Sequence, residues 1–164
     1  MRESSGLVGI RVRWHDGAMP EMPEVDALVA DLRARMVGAV VAGVEPASFA
    51  VLKTFDPPPD ALLGLTVMGV HRHGKFIDID ADGLHLVIHL AKAGWIRWSD
   101  NLAPKRVKMG PGPIALRLRL DHGDGPTSGF DLTEAGTRKG LAVYVVRDPA
   151  DVPGIAALGP DPLA

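Results

Sequence analysis

Apolar residues fall at Val25, Leu28, Val29, Leu32 and Met36, the spacing of a helix with one buried face, and predict a helix over 23–37. Pro23 suits the first helical position, and Glu24 and Asp26 suit the positive end of the helix dipole. Asp31 and Arg35 are spaced to pair across one turn, and Gly38 can close the helix in a left-handed conformation. Downstream the period shortens. The β-branched runs AVVAGVE (39–45) and LTVMGVH (65–71) predict strands, separated by a loop holding Pro57, Pro58 and Pro59. In KFIDID (75–80) Ile77 and Ile79 alternate with Asp78 and Asp80. The turn Asp82-Gly83 then leads into LHLVIHL (84–90), a hairpin signal. In IALRLRL (114–120) Ile114, Leu116, Leu118 and Leu120 share one face, with Arg117 and Arg119 on the other. Shorter GFDL (129–132) and longer LAVYVV (141–146) complete the series. One helix followed by seven or eight turn-punctuated strands predicts a mainly β domain (α+β by content). The expected form is an eight-stranded β-sandwich or flattened barrel with an N-terminal α-helix.

Composition narrows this only a little. A chain of 164 residues, 46% hydrophobic and 23% charged, is long enough for one domain with a real core. The absence of cysteine excludes disulfides, thiolate zinc sites and a cysteine nucleophile, and fits a reducing, cytoplasmic setting. No stretch approaches the ~20 apolar residues of a membrane span, and GLVGI near the start, followed by Arg11 and Arg13, is not a signal peptide. Residues 1–18 read as an irregular extension. The net charge of -2 carries no global sign of a nucleic-acid partner, but its distribution does. Lys92, Arg97, Lys105, Arg106, Lys108, Arg117 and Arg119 face the single acid Asp100 between 92 and 119. Such a stretch is either a solvated basic surface or a phosphate-binding one. Its centre, DNLAPKRVKMGPGP (100–113), reads as a surface loop.

Four short motifs carry candidate chemistry. Six histidines invite a metal, but His85 and His89 would stand about 13 Å apart on a strand, and nothing supplies a third ligand to His71 and His73. No metal site is expected. HRHGKF (71–76), which sets His71, Arg72, His73 and Lys75 around Gly74, is either a polar strand end or a phosphate contact, with Lys75 reaching out where Gly74 allows close backbone approach. GTRKG (136–140) is either a plain turn or a probing loop whose glycines let Arg138 and Lys139 project. Finally, MPE (19–21) reads like the start of a chain. With Met19 removed, Pro20 presents a secondary amine that can attack a sugar C1′ and form an iminium, with Glu21 as acid or base beside it. Inside a longer chain Pro20 is an amide without nucleophilicity, and Pro20 and Pro23 then only shape the entry to the helix.

Taken in order, MPEMPEV, RHGKFIDI, LVIHLAKAGWIRW, DLTEAGTRKG and LGPDPL resemble the formamidopyrimidine-DNA glycosylase/endonuclease VIII family from Met19 to Ala164. The resemblance implies a bifunctional DNA glycosylase/AP lyase of base-excision repair, acting on damaged double-stranded DNA. It implies Pro20 as Schiff-base nucleophile, Glu21 as catalytic acid/base, and Lys75 as the strand lysine that contacts phosphate beside the lesion. Glu24 falls on a supporting acidic position of the opening motif. Arg138 falls on an arginine of the loop that fills the gap left by a flipped nucleotide. His73, Lys92 and Lys139 would add DNA contacts. Pulling the base from the stack before its glycosidic carbon is attacked gives such a loop its purpose.

Two departures stand out. HLAKAG places Lys92, and GTRKG places Lys139, where the family often inserts methionine and phenylalanine. Cations weaken stacking and favour phosphate or base-edge contact. The resemblance also divides the chain. Residues 1–18 would be an extension from a misassigned start, 19–154 the catalytic domain, and 155–164 the start of a linker. The family's helix–two-turn–helix element and cysteine zinc finger have no counterpart here, so no zinc or other cofactor is expected, and a second chain could supply the missing half. Two other readings stay open: a non-catalytic module that binds DNA or abasic sites, and a protein-interaction β-sandwich.

Overall fold

A computed structural model describes residues 21–136 and 139–163. Helix α1 spans Met22–Met36, and eight strands follow: β1 Val40–Pro46, β2 Gly69–His73, β3 Phe76–Ala81, β4 Leu84–His89, β5 Gly94–Ser99, β6 Ile114–Asp121, β7 Ser128–Glu134 and β8 Ala142–Val146. A short helix α2, Pro153–Ala156, lies near the end. The strands form two four-stranded antiparallel sheets, ordered β1-β6-β7-β5 and β2-β3-β4-β8. This is the expected sandwich with its N-terminal helix.

The core lies between the sheets and under the helix. Leu28, Val29, Leu32 and Met36 of α1 meet Ile77, Ile79, Leu86 and Ile88 of one sheet, and Leu116, Leu118, Phe130 and Leu132 of the other. Burying aliphatic side chains on this scale is the main force holding the sheets together. Strand β4 is buried on both faces, which explains its unbroken Leu86-Val87-Ile88 run. Val87 turns away from the main core into a small second cluster with Val146, Val152, Phe76, Tyr144 and Ile155. Residues just beyond β8 therefore cover the outer face of the second sheet.

The helix runs antiparallel to β2. Arg33, late in α1, donates to the Val70 carbonyl (3.0 and 2.7 Å), while Asp26, early in α1, accepts from Arg72 (3.0 Å). That direction carries the start of α1 to the turn between β2 and β3.

Several elements depart from the sequence pattern. The run 65–71 is strand only from Gly69, and its first half instead makes irregular bonds to 38–41, such as Val41 N to Leu65 O (2.8 Å). Strand β5 was not among the expected strands, although Ile96 and Trp98 alternate with Arg97 and Ser99, and it pairs with β7. Arg117 and Arg119 do not form a solvent face. Arg117 makes a bidentate pair with Asp131 (2.6 and 2.9 Å), and Arg119 is buried against Glu45 (2.6 Å). Asp78 is also buried, accepting from His73 Nε2 and His85 Nδ1 at 2.8 Å each.

A candidate nucleic-acid edge at the start of the helix

Glu21 is the N-cap of α1, with extended backbone, and its side chain is exposed. Its backbone N–H donates to Glu24 Oε1 (2.9 Å), so Glu24 acts first as a cap that orients the residue before the helix. A Pro in the first turn and an acid at Glu24 make this end a local consequence of sequence. Pro20, expected as the nucleophile, lies outside the described residues, as does Arg138.

Lys75 sits in the two-residue turn between β2 and β3, half-buried. Gly74 before it has φ of 60°, where a side chain is strained, and a Cβ there would press on Leu158 at 3.1 Å. Arg72 ties the surroundings together. Its side chain is only 5% exposed, and it donates to Asp26 (3.0 Å), to the Gly74 carbonyl (3.1 Å) and to Asp161 (2.6 Å). One guanidinium thus joins the N-terminal part of α1, the turn that carries Lys75, and the segment 155–163. These hydrogen bonds raise the Arg72 pKa further, Asp161 contributing most, against the opposing effect of burial. In return the bond from Arg72 and the Leu163 N–H hold Asp161 below the usual carboxylate range. Where the sequence suggested a departing linker, Leu158 and Asp161 rest against the Lys75 turn.

His89, weighed in the sequence only as a metal ligand, joins this edge. It ends β4 opposite Phe76, with ring centroids 4.8 Å apart. Burial, then the nearby Lys75 ammonium, depress its pKa. The Ala91 N–H donates to Nδ1 (3.1 Å), so the ring is neutral with its proton on Nε2. Ala91 has a left-handed φ of 56°, an uncommon conformation for alanine that marks the turn leading to exposed Lys92. A signal was present in the sequence: His89 follows a fully apolar run at a strand end, two residues before a tight turn.

His73 stands beside the Lys75 turn but is drawn toward Asp78. Lys139 does not project freely. Its ammonium caps the Glu134 carbonyl (3.0 Å), while the Glu134 carboxylate accepts from the Gly140 and Leu141 N–H groups at 2.7 Å each. The structure therefore gathers Glu21, Glu24, Lys75 and His89 around the β2–β3 turn, and sets Lys92 and Lys139 on the turns after β4 and β7. Among the described residues no group of acids and histidines has the arrangement of a metal site. No helix among them is long and apolar enough to cross a membrane.

The family model described as "Formamidopyrimidine-DNA glycosylase N-terminal domain" matches residues 19–140. Formamidopyrimidine-DNA glycosylase of Thiobacillus denitrificans is 31% identical over 153 residues, covering 89% of this chain and 50% of that protein. The Variovorax paradoxus protein of the same name is 32% identical over 158 residues, covering 88% and 50%. The chain thus spans about half the length of these relatives. Among solved structures, Lactococcus lactis formamidopyrimidine-DNA glycosylase bound non-covalently to AP-site DNA superposes with a TM-score of 0.69 at 23% identity, covering 87% of this chain and 52% of that one.

Proposed function

The chain belongs to the formamidopyrimidine-DNA glycosylase family through its N-terminal domain, and from that premise we propose that it is the catalytic half of a DNA glycosylase/AP lyase acting on oxidised bases in duplex DNA. The observation that carries the reading is the Arg72 clamp. It ties Asp26, in the helix that Glu21 caps, to the turn that presents Lys75, and this supports a role for the two motifs together although Glu21 and Lys75 lie more than 50 positions apart in sequence.

In the active form Pro20 is the first residue, and its secondary amine attacks C1′ of the damaged nucleotide. The C1′–N bond breaks and the base leaves with a proton, giving an iminium between Pro20 and the opened sugar. Glu21 moves the protons: it delivers one to the sugar as the ring opens, then removes one from C2′. β-Elimination expels the 3′ phosphate, and δ-elimination expels the 5′ phosphate. Lys75 and the neutral Nε2–H of His89 hold phosphate oxygens beside the lesion. Lys92 and Lys139 stand at the turns nearest the emptied stack, where they make polar rather than stacking contacts. The reaction belongs to the cytoplasm, where genomic DNA is met.

Borohydride reduction tests the proposal. Protein whose mass begins at Pro20 will form a covalent adduct with abasic-site duplex, and protein retaining residues 1–18 will not. Glu21→Gln will slow base release about 100- to 10,000-fold while leaving duplex affinity near that of the parent. If the Pro20-start protein binds the duplex but gives no adduct, the non-catalytic binding module replaces the enzyme; the lysines at 92 and 139 already suit that role.

A further inference from the structure

A cleft of about 320 Å³ opens where residues 48–53, the loop 110–113 and the end of β7 converge. Its walls are tied by backbone bonds: Gly110 N to Ala47 O (3.0 Å), Ala47 N to Ala115 O (2.9 Å) and Glu134 N to Pro113 O (3.0 Å). It is therefore preformed. Ala50, Pro111, Pro113 and Leu141 give it an apolar lining, and Lys53 and Lys139 both line it. The Lys53 ammonium donates to Ala50 O (2.7 Å) and that of Lys139 to Glu134 O (3.0 Å). Among the described residues no carboxylate forms an ion pair with either. The one acid in the lining, Glu134, spends its carboxylate on the Gly140 and Leu141 N–H groups. Phe49, between the lining residues Ser48 and Ala50 in sequence, is 70% exposed, and Phe55, two positions beyond Lys53, is 96% exposed.

An apolar lining with two cations that, among the described residues, no carboxylate pairs fits one chemistry: a ring with a phosphate attached. The size, at the low end of the roughly 300–1,000 Å³ typical of ligand pockets, admits one nucleotide. We propose that this cleft is a nucleotide subsite, taking one nucleotide of the bound DNA strand with its base against Pro111 and Pro113 and its phosphate between Lys53 and Lys139. The inference rests on the DNA-binding part of the reading above and not on its chemistry. Lys139 joins the two, because the loop after β7 borders both the cleft and the proposed gap-filling segment.

Amide chemical shifts of the whole 15N-labelled chain test it, with three probes: dAMP, inorganic phosphate and a duplex carrying a reduced abasic-site analogue. The duplex is expected to move Gly110, Gly112 and Leu141, and dAMP to move the same amides more weakly. Phosphate alone should disturb only the surroundings of Lys53 and Lys139. Ala50→Trp, which fills the slot from an exposed position, should weaken duplex binding about tenfold, the worth of one stacked base. Lys53→Glu should reduce the salt dependence of duplex binding by about one phosphate contact. A response to dAMP with none to the duplex would replace the strand nucleotide by a free one and overturn the assignment. So would a response to phosphate with none to dAMP or the duplex, or unchanged duplex affinity in both variants. Borohydride trapping separates the two claims: an adduct with a silent cleft sinks only this one, and a responsive cleft without an adduct sinks only the catalytic one.

Discussion

Two arginines do similar work in the two different sheets, Arg119 on β6 and Arg72 on β2, and their surroundings differ. Arg119 donates to Glu45, to the Ala103 carbonyl (2.8 Å) and to the Lys105 carbonyl (2.9 Å), while Glu45 also accepts from the Val107 N–H (3.0 Å). Together they fasten the loop that displays Lys105, Arg106 and Lys108. Arg72 likewise gathers a backbone carbonyl and carboxylates, at the Lys75 turn. Yet Glu45 is 4% exposed, whereas Asp26 and Asp161, the partners of Arg72, have side chains 59% and 36% exposed. Attraction between charges grows as water is excluded, but so does the cost of leaving one unpaired. The Arg119 clamp is accordingly a fixed part of the fold. The Arg72 clamp is open to competition from water and salt, which suits an edge that must admit a polyanion.

Removing the buried carboxylate should break this contrast most sharply. Glu45→Ala strands the Arg119 guanidinium and is expected to cost about 3–5 kcal/mol in denaturant unfolding. The pH dependence has a definite sign. Burial pushes the Glu45 carboxyl up, but the hydrogen bond from Arg119 and the Val107 N–H outweigh it, leaving it below the usual range. Its contribution is therefore present above the ordinary carboxylate pKa and is lost as pH falls through the folded value. Glu45→Gln should flatten that acid limb; an unaltered acid limb would remove Glu45 as its source.

Arg72→Met comes next. It removes charge-assisted bonds whose partners water can partly replace, so about 1–2 kcal/mol is expected. The informative readout is amide exchange, which should speed up in the first turn of α1 and at Gly74 together. Acceleration at only one of these would mean that the clamp does not couple them. The smallest effect is that of Asp161→Asn, which should leave the melting temperature within error yet raise exchange at Gly74 and Lys75. Exchange there equal to the parent's would show that the segment beyond β8 does not steady the turn.

Much of the fold was legible in the chain. The apolar stripe of α1, the Asp82-Gly83 hairpin and the alternation in β6 are local patterns, and the structure keeps them. The misreadings are instructive. Arg117 and Arg119 looked like a solvent face because alternation reports which residues share a side, not what covers that side. Asp131, one strand away, and Glu45, 74 positions away, turned a basic surface into internal pairs. Of the candidate site, Glu21, Glu24 and Lys75 were visible as motif residues. His89 was not, because its neutral state depends on burial and on a lysine 14 positions earlier.

By itself the sequence determined the helix with its capped start, most of the strands, the absence of thiol chemistry and the motifs that mark the family. These follow from spacing, composition and residue type, which act over a few positions. Only the tertiary structure decided which cations remain available to a phosphate, how 155–163 meets the Lys75 turn, and where the cleft at Lys53 and Lys139 opens. Each of these depends on pairings between distant segments, β5 with β7, β1 with β6, Arg72 with Asp161, whose energies come from excluding water at contacts that no local pattern encodes.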